Sequence, residues 1–132
     1  MKKIIKFLFY WLPPFVWIGF IFYLSSRSGI FITKEFFWDF IIFKTFHMIE
    51  YAILNFLFFR AFYGLRNKST DLNKIMIYSF ILAIVYASAD EYHQTFVPSR
   101  EGKLRDVIID SVGAGLMYIY IKSTFRFWKR FL

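Results

Sequence analysis

The chain has no cysteine, which excludes disulfides and thiolate chemistry and leaves its compartment open. It also has no P-loop, no glycine-rich dinucleotide fingerprint and no GxSxG elbow, so the usual signatures of nucleotide binding and acyl transfer are missing. No internal repeat, linker or low-complexity stretch divides its 132 residues, a length suited to one domain. Charge is absent from long stretches: Phe7 to Ser25 carries none.

What is abundant points to lipid. Hydrophobic residues make up 58% of the chain and aromatics 25%, with Phe alone at 20 positions. Their arrangement in long blocks weighs more than the fraction itself. The net charge is +8. Basic residues placed around apolar blocks mark membrane flanks and contacts with anionic lipid. Membrane lipids, anionic ones among them, are therefore the expected partners, and nucleic acid is not.

The pattern predicts an all-α fold: an integral membrane bundle of four transmembrane helices in a single domain, 1–132. The spans are expected near 7–25, 46–62, 75–89 and 107–121. The first approaches the roughly 20 residues needed to cross a hydrocarbon core. Ser25-Ser26-Arg27-Ser28 is a poor cleavage site, so this segment reads as a retained helix and not as a signal peptide. Pro13-Pro14 should bend it or disturb its first turns. Phe9, Tyr10, Trp11 and Trp17 suit partly interfacial placement.

Ser28-Gly29 breaks the first helix, and Phe31 to Phe43 mixes aromatics with Lys34, Glu35 and Asp39. That stretch reads as a short interfacial segment in the first outer loop. Arg60, late in the second span, can snorkel to the interface. Asp71 is placed to cap the third span. Gly113-Ala114-Gly115 permits close helix approach in the fourth. The basic, aromatic tail from Lys122 to Leu132 suits an anionic membrane surface.

Lys and Arg counts set the expected orientation. Eleven flank one side: Lys2, Lys3 and Lys6, then Arg60, Arg66, Lys68 and Lys74, then Lys122, Arg126, Lys129 and Arg130. Six flank the other: Arg27, Lys34, Lys44, Arg100, Lys103 and Arg105. A multi-pass protein of the cell membrane with both termini cytoplasmic is the expectation. The Lys44 end of span two, the Asp90 end of span three and the Asp110 end of span four then meet at the outer leaflet.

Those three ends carry the polar groups. Lys44, His47, Glu50, Tyr51 and Leu54 recur at steps of three and four and share a helix face. Asp106, Asp110 and Gly113 do the same in the fourth span. Ionisable groups inside a span face the bundle or an aqueous cavity. Asp110, about one turn into the membrane, needs a cation or donor such as Arg100, Lys44 or His47. Structural glue between spans is the plain alternative to a site. Asp90, Glu91 and Gln94 lie where the third span leaves lipid, and Arg100 can grip a phosphate or carboxylate with two parallel bonds. HxxE alone is weak as a metal signal, and no metal is expected. His93 reads as an ordinary loop histidine.

Lys44-x-x-His47-x-x-Glu50-Tyr51-x-x-Leu54, Asp90-Glu91-x-x-Gln94-x-Phe96-x-Pro98-x-Arg100 and Asp106-x-x-x-Asp110-x-x-Gly113 together resemble the VanZ-like family. Tyr23-Leu24-Ser25-Ser26 matches that family's opening pattern, whereas Ser99 stands where the family often has Gly. The resemblance covers nearly the whole chain. It implies a small multi-pass membrane protein whose namesake is linked to low-level teicoplanin resistance, and it supplies no biochemical activity.

The expected role is to bind or modify an anionic lipid or lipid-linked wall precursor at the outer leaflet. Lys44 and Arg100 would hold the headgroup, with Tyr51, Asp90, Glu91, Gln94 and Asp106 completing the binding set. His47, Glu50 and Asp110 would supply acid–base chemistry or fix those cations. The other readings are a non-enzymatic scaffold and a small solute or ion carrier. Catalysis, cofactor and oligomeric state stay open at this point.

Overall fold

The computed structural model describes residues 2–27, 35–67, 69–98, 100, 102–128 and 130. The predicted break at Ser28-Gly29, residues 31–34 of the interfacial segment, Lys68, Ser99 and Lys129 lie outside them. Four helices follow in order: α1 (Lys2–Ser25), α2 (Phe36–Leu65), α3 (Leu72–Gln94) and α4 (Leu104–Trp128). Among the described residues there is no strand.

Each helix is longer than its predicted span. At about 1.5 Å per residue, the 30 residues of α2 reach about 45 Å, beyond a hydrocarbon core of roughly 30 Å. Residues 36–43 of the expected interfacial segment are the first two turns of α2 itself, not a separate element. Hydropathy could not mark that boundary, because charged residues sit on a helix before it enters lipid. At the opposite end of the bundle, Asp71 caps α3 as expected, its carboxylate accepting from the Asn73 amide at 3.0 Å.

α1, residues 37–65 and α3 are long and apolar enough to cross a membrane. α4 is more polar, yet it packs along α2 from Asp106 beside Lys44 to Phe125 beside Phe59 and Tyr63. Its outer face carries Ile108, Val112, Leu116 and Ile119, each about half exposed or more, an apolar stripe at helical spacing. Lipid is the solvent that suits it. Contacts run up–down–up–down: Trp17 meets Glu50, Tyr51 meets Asp90, and Lys44 meets Asp106.

α2 is central and touches the other three helices. One core cluster joins Ile21, Tyr51, Leu54, Phe58, Ala83, Ala87 and Ala114; a second, towards the termini, joins Phe59, Ile75, Met76 and Ile121. α2 and α4 approach most closely at Gly113, where an added Cβ would collide with the Met48 carbonyl. Two turns further along α2, buried Asn55 donates through Nδ2 to the Ala114 carbonyl at 2.8 Å.

α1 runs unbroken through Pro13 and Pro14. Proline removes the amide that would bond four residues back, so Pro13 leaves the Phe9 carbonyl without its helical donor. Arg60 Nη1 supplies a donor there at 3.4 Å, and its guanidinium lies 4.8 Å from the Phe9 ring and 5.1 Å from that of Tyr10. The sequence reading sends Arg60 to the lipid interface; in the fold it satisfies α1.

Candidate functional site

The helix ends Ser25, Phe36, Gln94 and Leu104 lie at one end of the bundle, and the polar constellations gather there. They separate into three groups. Position on the helix explains why: Glu50 and Tyr51 belong to one periodic face, but neighbours are turned about 100° apart. Glu50 therefore looks towards α1, Tyr51 towards α3, and Lys44 and His47 towards α4.

The first group is a fastening. Asp90, 2% exposed, accepts from Ser25 Oγ at 2.6 Å, from the Tyr51 hydroxyl at 3.3 Å and from Gln94 Nε2 at 3.2 Å. Three helices meet at one carboxylate whose donors are all neutral. Tyr51 is fully buried and Gln94 nearly so. These expected binding residues thus form an internal network. Ser26 Oγ lies 3.1 Å from His93 Nε2, and the His93 and Phe22 rings meet at a tilt of 31° with centroids 4.5 Å apart, so His93 belongs to the same α1–α3 seam.

The second group lies between α2, α3 and α4. Lys44 Nζ pairs with Asp106 Oδ2 at 2.8 Å. Phe40 lies beneath both Lys44 and Arg105, at 5.9 and 4.9 Å from its centroid. One turn deeper, His47 Nδ1 lies 3.6 Å from Asp110 Oδ1. That is ion-pair range but too long for a hydrogen bond, and neither Asp110 oxygen has a hydrogen-bond partner among the described residues. Glu91 closes the group from α3, its carboxylate held by the Lys103 amide at 3.1 Å and Gln94 Nε2 at 3.4 Å. Gly102 allows that loop to pass over the Glu91 carbonyl, where a Cβ would clash. Of the three partners expected for Asp110, His47 is the one the fold brings within ion-pair range. His47 lies beside Asp110 and Glu91, while Glu50 shares with it the lining of a groove.

The third group lines a groove of about 390 Å³ between α1 and α2. Trp17, Phe20 and Leu24 form one wall, and Phe46, Ile49 and Ile53 belong to the other. Arg27 and Arg100 stand at its polar end, with His47 and Glu50 also in the lining. Arg100 Nε donates to the Arg27 carbonyl at 3.1 Å, which ties the α3–α4 loop to the end of α1. Trp17 Nε1 donates to the Glu50 carbonyl at 3.0 Å. His47 borders both the groove and the buried group.

Sequence reasoning missed Trp17 as a lining residue, Arg27 beyond its charge, Ser25 beyond its place in the opening pattern, and Asn55 altogether. The 17, 20, 24, 27 spacing on α1 could have revealed that wall. Ser25 and Asn55 carry no such signal, since their partners lie 65 and 59 residues away.

No curated protein and no solved structure matches this chain. The VanZ/LLP1 family model matches residues 2–127. With that match spanning nearly the whole chain, and the family motifs gathered at one end of a helical membrane bundle, this protein belongs to the VanZ/LLP1 family.

Proposed function

We propose that the chain is a four-pass protein of the cell membrane, with both termini cytoplasmic, that binds an anionic lipid or lipid-linked wall precursor from the outer leaflet. The observation that carries this reading is the groove: apolar along α1 and α2, and ending at Arg27 and Arg100. An acyl or polyprenyl chain suits the aromatic and aliphatic walls. A phosphate-bearing headgroup suits two guanidinium groups, which bind oxyanions through paired, charge-assisted hydrogen bonds. Lys44, expected to share this task, is engaged with Asp106; Arg27 takes its place. A part in teicoplanin protection, implied by the family, would follow from occupancy or alteration of a wall precursor.

The test is lipid retention by the full chain in detergent, read by native mass spectrometry with phosphatidylglycerol, polyprenyl phosphate and phosphatidylcholine. Wild type should prefer the anionic lipids, and Arg27→Ala or Arg100→Ala should each weaken that preference about tenfold, the equivalent of roughly 1.4 kcal/mol. Equal retention of anionic and zwitterionic lipid by wild type would overturn the reading.

A second reading, chemistry on the bound headgroup, is favoured by the approach of His47 to Asp110 on the edge of the groove. A carboxylate facing an imidazole is an arrangement used in acid–base chemistry. Teicoplanin susceptibility of a host expressing wild type, Glu50→Gln or Asp110→Asn separates the readings. Loss of protection with lipid retention intact favours chemistry, and parallel loss of both favours binding alone.

A further inference from the structure

The buried acids at the polar end keep unequal company. Asp90 has three neutral donors, and Asp106 has Lys44. Asp110 is 1% exposed, and neither of its oxygens has a hydrogen-bond partner among the described residues. A buried carboxylate that accepts no hydrogen bond is costly even with an imidazole in ion-pair range at 3.6 Å. His47 Nδ1, which faces it, is likewise without a hydrogen-bond partner among the described residues.

These two orphaned groups point at a third. One donor atom each from His47, Glu91 and Asp110 lies within 4.8 Å of the others, and all three residues are buried. About 3.3 Å is the edge of a tetrahedron with bonds of about 2.0 Å, the length of zinc bonds to imidazole and carboxylate. The His47–Asp110 separation of 3.6 Å is close to that already. We infer that His47, Glu91 and Asp110 form a binding site for a divalent transition-metal ion.

The donor set argues for the class of ion. Imidazole suits zinc and its first-row neighbours, whereas magnesium and calcium favour all-oxygen sites. Two carboxylates neutralise a dication, and the ion would give the Asp110 oxygens the bond they lack among the described residues. Glu91 is already oriented from behind by the Lys103 amide and Gln94, as ligands in metal sites are. Asp110 has no such donors among the described residues, and an ion would be its missing partner. Lys44, the nearest fixed cation, is drawn aside by Asp106 at 2.8 Å. Three protein ligands leave coordination open for water or another oxygen donor.

The experiment uses the full chain in detergent, freed of any affinity tag and stripped with chelator, then titrated with Zn²⁺ and assayed for metal content. One equivalent should bind saturably and raise the thermal midpoint. His47→Gln, Glu91→Gln and Asp110→Asn should each weaken binding at least tenfold, while His93→Gln, which removes the chain's other histidine, should leave it unchanged. X-ray absorption on the wild-type complex should report a single imidazole among oxygen donors. That spectrum decides the matter even where a variant fails to fold. No saturable uptake by wild type, an all-oxygen shell, or equal loss in His93→Gln and His47→Gln would overturn the site.

Discussion

Ser25 Oγ lies 2.6 Å from Asp90 Oδ1, joining the last residue of α1 to the last turn of α3. α1 packs chiefly on α2 and meets α3 at few places, so this bond does much to hold the end of α1 against α3. A hydrogen bond to a buried charged group contributes roughly 1.5–3 kcal/mol. Ser25→Ala should therefore lower stability by about 2 kcal/mol, measured by denaturant titration in detergent. Asp90→Asn should cost at least as much, because the amide offers one acceptor oxygen to three donors. A neutral outcome for both would show that the other contacts of α1, such as Trp17 Nε1 with the Glu50 carbonyl, suffice to hold it.

Gly113 and Gly115 make a paired prediction. A Cβ at Gly113 would run into the Met48 backbone, which cannot yield without moving α2 from α4, whereas one at Gly115 would meet only the Phe80 ring at 3.8 Å. Gly113→Ala should cost roughly 1–3 kcal/mol, the range for forcing atoms into a packed interface. Gly115→Ala should be neutral or slightly stabilising, since alanine favours helix by up to about 1 kcal/mol over glycine. Thermal melts of the two variants side by side give the comparison.

This difference also marks how far the sequence could be read. Runs of apolar residues give the number of helices and their order, because lipid demands the same chemistry of every span. The small-residue stripe and the polar steps identify which faces turn inwards. They do not distinguish Gly113 from Gly115, or show that Glu50 faces a groove while Tyr51 is sealed inside. Those outcomes depend on the rotation of each helix about its axis, which the neighbours settle. The partners of Ser25, Trp17 and Asn55 were hidden for the same reason. Spacing puts His47 and Glu50 on one face, but the partners of that face, Asp110 for His47 among them, come from distant parts of the chain.

Arg60 should prove more than an interface anchor. Its guanidinium serves the carbonyl that Pro13 leaves free and lies over two aromatic rings. Arg60→Met keeps the stem and removes both interactions. Its expected cost is about 1–2 kcal/mol, the sum of a long hydrogen bond and modest cation–π contacts. Pro13→Ala restores the helical donor to Phe9, so in that background Arg60→Met should cost measurably less. Equal losses in both backgrounds would rule out the link to proline.

The Lys44–Asp106 pair separates a fastening from a site. Lys44 is 19% and Asp106 7% exposed at the side chain, so much of the Coulomb attraction escapes screening while each ion has lost most of its water. Asp106→Asn strands Lys44 and should cost roughly 3 kcal/mol, the lower end for a broken buried pair, whereas Lys44→Met should cost less, because Arg105 Nε still lies 3.4 Å from Asp106 Oδ1. The double variant strands nothing, and should recover at least half of the summed loss in a double-mutant cycle. Lipid retention supplies the other half of the argument. Lys44 is absent from the groove lining, where Arg27 and Arg100 stand, so the double variant should bind anionic lipid as wild type does once it is folded. Retained stability with lost lipid binding would instead place Lys44 on the headgroup, and would move the binding site from the α1–α2 groove to the α2–α4 seam.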